Sequence, residues 1–184
     1  VKRCFLDYRE AIGKPDGERA ASLAAASTLD YFEFTRRAAL SMPEPELRKR
    51  GLMDRLQILT IRARIPAATL RAVDGRGLFA VAVQEGMTGS MAKTLEPGEV
   101  ELDGSSARLG IRTDEETLPP GSGFRLAREA DGWKLDVISV AALAEPEFEQ
   151  MLRDLDPDLD VALLRVLSKV AKKPIDRSIF RPLE

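Results

Sequence analysis

Between Phe124 and Val137 the chain reads Phe-Arg-Leu-Ala-Arg-Glu-Ala-Asp-Gly-Trp-Lys-Leu-Asp-Val, an alternating run interrupted by one Asp-Gly pair, and no other stretch constrains the fold as strongly. Asp-Gly is favoured in two-residue hairpin loops because both positions tolerate positive φ, so the pattern predicts Ala130 opposite Trp133 and Glu129 opposite Lys134. The period of two puts Phe124, Leu126, Trp133, Leu135 and Val137 on a dry side. Arg125, Ala127, Glu129, Lys134, Asp136 and Ile138 fall on a wet one. Arg128 shares the dry side, where a guanidinium needs a partner, an anionic ligand or a route to solvent.

A second hairpin is predicted over Glu99 to Ile111, turning at Gly104-Ser105 in the type II′ manner. Its register sets Glu101 opposite Arg108 and gives Val100, Leu102, Ala107, Leu109 and Ile111 to the dry face. The two hairpins form a four-stranded antiparallel sheet, with Pro119 to Gly123 as the bend between them.

The remainder reads as helix. Val1, Phe5, Tyr8 and Ile12 make one apolar stripe, ended by Gly13. Further helices are expected over Glu18 to Ala26 and from Leu29 to Met42, the latter capped by Ser27 or Thr28 and stopped by Pro43. Leu52 to Ile65 fits a helix or a strand, and helix is preferred. Short segments follow from Pro66 to Val73 and from Leu78 to Glu85, the last closed by Gly86. Beyond the sheet, one helix opens at Pro146. Another is expected with Asp156 as N-cap and Pro157 in its first turn, ending at Lys172-Lys173 before Pro174. The tail, with Ile179, Phe180 and Leu183, is too apolar for a solvated end.

Composition narrows the function. The 184 residues include no histidine and a single cysteine, Cys4. That removes the commonest general base, the Ser-His and Cys-His dyads, any intrachain disulfide and any cysteine-built zinc site. No metal or cofactor is expected. A formal net charge of -2 offers no broad basic field for nucleic acid. No apolar run approaches the ~20 residues that span a bilayer. The expectation is a soluble, cytoplasmic chain, with a removed signal or an upstream tether left open because the sequence starts at Val1.

The order of elements, helices first and then a sheet whose last hairpin ends in Arg-Glu-x-x-Gly-Trp-Lys-Leu-Asp, resembles the cystatin-like cone of the nuclear transport factor 2-like superfamily. The similarity is to its uncharacterised bacterial branch. It is carried by Phe5-Leu-Asp-Tyr-Arg-Glu-Ala-Ile12, by Tyr31-Phe32 with Ala39-Leu40, and by Phe124 to Val137. The resemblance implies an α+β fold, N-terminal helices packed on a curved four-stranded antiparallel sheet, with a ligand cavity between them. The corresponding domain is 1-142, and 143-184 is a C-terminal helical extension and tail packing on it. Members include isomerases, cyclases and dehydratases, ligand binders and interaction modules, some of them homodimeric. The histidine-aspartate pairing of the dehydratases has no counterpart here.

The function expected is therefore a non-catalytic small-molecule-binding or protein-interaction domain. Tyr8, Tyr31, Phe34, Arg128 and Trp133 are the candidate residues around a small apolar or weakly acidic ligand. Homo-oligomerisation would use the C-terminal helices and tail. The alternative is a metal-free isomerase, cyclase or lyase with Asp30 and Tyr31 as acid-base pair, although Asp30 equally suits a helix start. Arg62 and Arg64 suit an anion contact or an exposed face equally. Asp154, Asp156, Asp158 and Asp160 lack the glycine and glutamate of a calcium loop and are read as helix-capping residues.

Overall fold

Helices precede and follow a single antiparallel sheet in the computed structural model, which describes residues 1–112, 123–141 and 145–183. The fold is α+β, with helices packed on a four-stranded antiparallel sheet of order β1-β2-β3-β4. Its strands are β1 (Glu96–Asp103), β2 (Ser106–Arg112), β3 (Gly123–Glu129) and β4 (Gly132–Asp136). The expected bend at Pro119 to Gly123 lies, up to Ser122, outside the described residues.

The chain clusters into two compact units, Val1–Phe32 with Gly75–Leu143 and Glu33–Asp74 with Ala144–Glu184. The C-terminal helices fall in the second of these units with residues 33–74.

The first unit contains the sheet with α1 (Lys2–Gly13), α2 (Gly17–Leu23), the start of α3 (Ala26–Ser41), α7 (Gly75–Gln84) and α8 (Ile138–Ala141). The stripe read from the sequence is the buried face of α1: Phe5, Tyr8 and Ile12, joined by Cys4 and Ala11. Phe5 meets Phe124 of β3 with ring centroids 5.4 Å apart, and Phe32 meets Phe79 of α7 edge-on at 4.9 Å. Such aromatic pairs add to the area they bury. Helix α7 ends as Gly86 suggests, with the Gly86 amide donating to Val83 and the Met87 amide to Ala82.

The β1–β2 hairpin has the expected register, Glu101 opposite Arg108, and turns at Gly104-Ser105 with Gly104 at φ +57°. The β3–β4 hairpin differs. Arg128, not Ala130, stands opposite Trp133, and Lys134 faces Ala127 rather than Glu129. Ala130 and Asp131 occupy the turn without positive φ, and only Gly132 takes one, at +127°. The loop is thus a turn closed by a glycine, and the register moves by two residues. A two-residue shift preserves side-chain parity, so the division into faces survives: Phe124, Leu126 and Leu135 are buried.

Two face assignments fail. Leu102, expected dry, is 68% exposed on edge strand β1. Lys134, expected wet, is only 9% exposed. The chain leaving α2 explains the second: Ala24 bridges Leu135, the Ala25 amide donates to the Leu135 carbonyl, and Lys134 Nζ reaches the Ser22 carbonyl and Asp131 at 2.6 Å each. An edge strand is thereby covered, and the lysine with it.

The second unit holds the rest of α3 with α4 (Glu44–Leu47), α5 (Leu52–Arg64), α6 (Ala67–Ala72), α9 (Glu145–Leu155) and α10 (Leu159–Ala171). The ambiguous segment is the helix α5. Helix α10 starts one turn-step later than expected: Asp158, not Asp156, is its N-cap and accepts from the Asp160 and Val161 amides. Pro157 therefore precedes the cap. Leu163 and Leu167 of α10 are buried with Ile58 and Leu59 of α5, and Phe180 of the tail is fully enclosed.

Candidate functional site

The sequence makes β1 an edge by giving it the alternation Glu99-Val100-Glu101-Leu102-Asp103, whose acidic positions share one face and whose apolar positions share the other. Register then assembles a charged row across all four strands: Glu101 opposite Arg108, Arg108 opposite Arg125, Arg125 opposite Asp136. Two arginines stand side by side with an acid at each end. Around the β1–β2 turn these residues shape a groove of about 490 Å³, lined by Glu101 and Asp103, by Arg108 and Arg125, and by Leu102 and Ala107. Arginines directly opposite one another repel, and the acids at the two ends of the row offset that repulsion.

The residues singled out from the sequence are placed differently. Tyr8 is fully buried, and its hydroxyl has no partner among the described residues. Burial pushes its phenol pKa well above the ordinary value, so it is a neutral donor. Tyr31 is half-buried and stands edge-on to Phe32, with centroids 6.2 Å apart. Phe34 belongs to the second unit, where the Arg50 guanidinium lies 4.8 Å from its ring centroid. Arg128 is exposed, and Trp133, its direct cross-strand partner, is half-buried. Those two alone among the five are brought together by pairing. Asp30 is exposed in the first part of α3.

Nearby polar groups have local duties. Thr28, expected to cap a helix, is buried and accepts from the Val137 amide at 3.0 Å, tying α3 to the end of β4. Asp136 accepts from the Ile138 amide at 3.2 Å. Glu129 accepts from the Ala26 amide at the start of α3 instead of meeting Lys134.

Arg62 was read from the sequence as an anion contact or an exposed residue, and it is neither. It is 5% exposed and gives all five N–H groups to carbonyls of its own unit. Nε donates to Ala39, Nη2 to Ala38 and Met42, and Nη1 to Ile179 and Phe180, at 2.6–3.3 Å. Burial lowers its pKa to about 10, which still leaves it protonated at neutral pH. With every donor used, it has none left for a ligand.

Sequence reading missed Leu102 as a surface residue and Arg125 as the neighbour of Arg108. The first needed the extent of helical cover over β1. The second needed the β2–β3 register, which the intervening segment leaves unspecified. Among the described residues no group of three His, Cys, Asp or Glu side chains is placed to hold a metal ion, and no helix is long and apolar enough to cross a membrane. The chain matches no family model, no curated protein and no solved structure.

Proposed function

We propose that this chain is a non-catalytic interaction domain of the nuclear transport factor 2-like kind, working through the groove at the β1–β2 hairpin. The observation that carries the reading is an edge strand, β1, that exposes Leu102 on one face and Glu101 and Asp103 on the other. An open strand edge with exposed side chains on both faces offers a partner backbone and side-chain contacts together. The acid-base alternative needs Asp30 and Tyr31 around one enclosed space, and Asp30 is exposed. A second reading, a small acidic ligand held by Arg108 and Arg125, draws on their direct opposition.

The test is a photoreactive side chain installed at Leu102, irradiated in the cells that make the protein, with native mass spectrometry of the purified chain alongside. A defined protein cross-linked at Leu102 and lost in an R108E/R125E variant supports the interaction domain. Retention of a small acid by the wild type and not by that variant supports the second reading. A chain with neither is not an interaction domain of this kind.

A further inference from the structure

Strand β1 pairs with β2 on one side only, and among the described residues no strand pairs with its other side. Its start is fixed, since Arg9 of α1 donates to the Leu95 carbonyl at 3.1 Å and to Glu96 at 2.6 Å. Beyond the irregularity between Pro97 and Val100, the edge runs regularly from Val100 to Asp103, and Glu101, Leu102 and Asp103 are all exposed. We infer that this edge receives an extended segment of another protein, added as a fifth strand, in which basic and apolar side chains alternate. The inference rests on the interaction-domain reading and specifies its partner.

The chemistry follows from the pleat. A strand hydrogen-bonded to β1 continues its two faces, so alternate side chains lie beside Glu101 and Asp103 while those between lie beside Val100 and Leu102. Lysine or arginine at the first set makes opposite-charge cross-strand pairs, and apolar residues at the second cover the exposed leucine. The same acids oppose a second copy of β1, because like charges would then face each other across the new pairing. A charged edge thus rejects itself and selects a basic strand.

Binding of fluorescein-labelled Lys-Val-Lys-Val-Lys-Val-Lys is compared with that of its Glu-Val counterpart, of a scrambled peptide and of a peptide N-methylated at alternate amides, with amide NMR shifts recorded on the protein. The Lys-Val peptide is expected to bind with shifts centred on Val100–Asp103. N-methylation on the pairing edge is expected to abolish binding, and E101K/D103K is expected to shift preference toward the Glu-Val peptide by about tenfold or more. Indifference to N-methylation, shifts elsewhere, or an unchanged preference in E101K/D103K would overturn the inference. A partner cross-linked at Leu102 together with a non-binding Lys-Val peptide retains the interaction domain and rejects the added strand. Because the methylated peptide leaves the protein untouched, the test stands even if the charge-reversed variant fails to fold.

Discussion

One arginine holds together three parts of the second unit. The carbonyls of Ala38 and Ala39 lie in the last turn of α3 and that of Met42 just beyond it, where a helix leaves acceptor capacity to be filled, and those of Ile179 and Phe180 belong to the tail. R62M removes every donor at once and strands buried acceptors, so a loss of about 3–5 kcal/mol is expected in urea unfolding. R62K keeps the charge but has three donors and no planar fork, and should lose about 2 kcal/mol. Equal stability of R62M and wild type would show that the carbonyls find water without cost. Glu33 supplies a pH-dependent counterpart. The Arg36 guanidinium, hydrogen-bonded at 2.8 Å, holds its carboxyl near 2, with Arg37 adding to the effect. A depressed acid contributes stability that is complete above its ordinary 4.5 and lost as pH falls through about 2. Partial exposure limits the contribution to about 1–2 kcal/mol. E33Q should be less stable than wild type at pH 7, and the gap should close in urea midpoints measured towards pH 2.

At the scale of elements, the chain's helices were legible where one face is apolar, and the partners of their N-terminal amides were not. Tyr8 and Ile12 mark α1 plainly, because a stripe is a local pattern. The N-terminus of α3 is satisfied instead by Glu129, whose carboxylate accepts the Ala26 amide at 2.9 Å, and that of α5 by Glu145, which accepts from Leu52 and Met53. Each partner stands many residues away, beyond any local capping motif, which is why Ser27 and Thr28 were credited with a role they do not have. Close packing is equally silent. Gly17 opens α2, where alanine is ordinarily the better helix former, yet a Cβ there would lie 2.2 Å from the Ala80 carbonyl oxygen of α7. Backbone cannot yield as a side-chain tip can. G17A should therefore destabilise the protein by about 2–3 kcal/mol despite its helix propensity, as overpacking does. A thermal midpoint at or above that of wild type would mean that α2 moves away from α7 at no cost.

On the scale of the whole molecule, the four strands and the β1–β2 register were legible, and the β2–β3 and β3–β4 registers were not. Alternation and turn residues specify each hairpin locally, whereas the second unit joins residues 33–74 to the C-terminal helices through contacts between segments far apart in sequence. Asp160 shows the kind of contact involved: it accepts from both Arg48 and Arg55, linking α10 to α4 and α5. Nothing in the aspartate series around it distinguishes that residue from Asp158, which caps α10. If each unit has its own stability, the two core variants should act on different amides in native-state hydrogen exchange. R62M should weaken protection in α5 and α10 while leaving the centre of β2 and β3 near its wild-type level. G17A should do the reverse, lowering protection in α2, α7 and the sheet. The free-energy loss in the affected amides should match the loss seen in urea for the same variant. Uniform loss of protection across Leu109, Leu126, Leu59 and Leu163 in both variants would mean that the chain opens as one cooperative body, and the two-unit description would then have no energetic content.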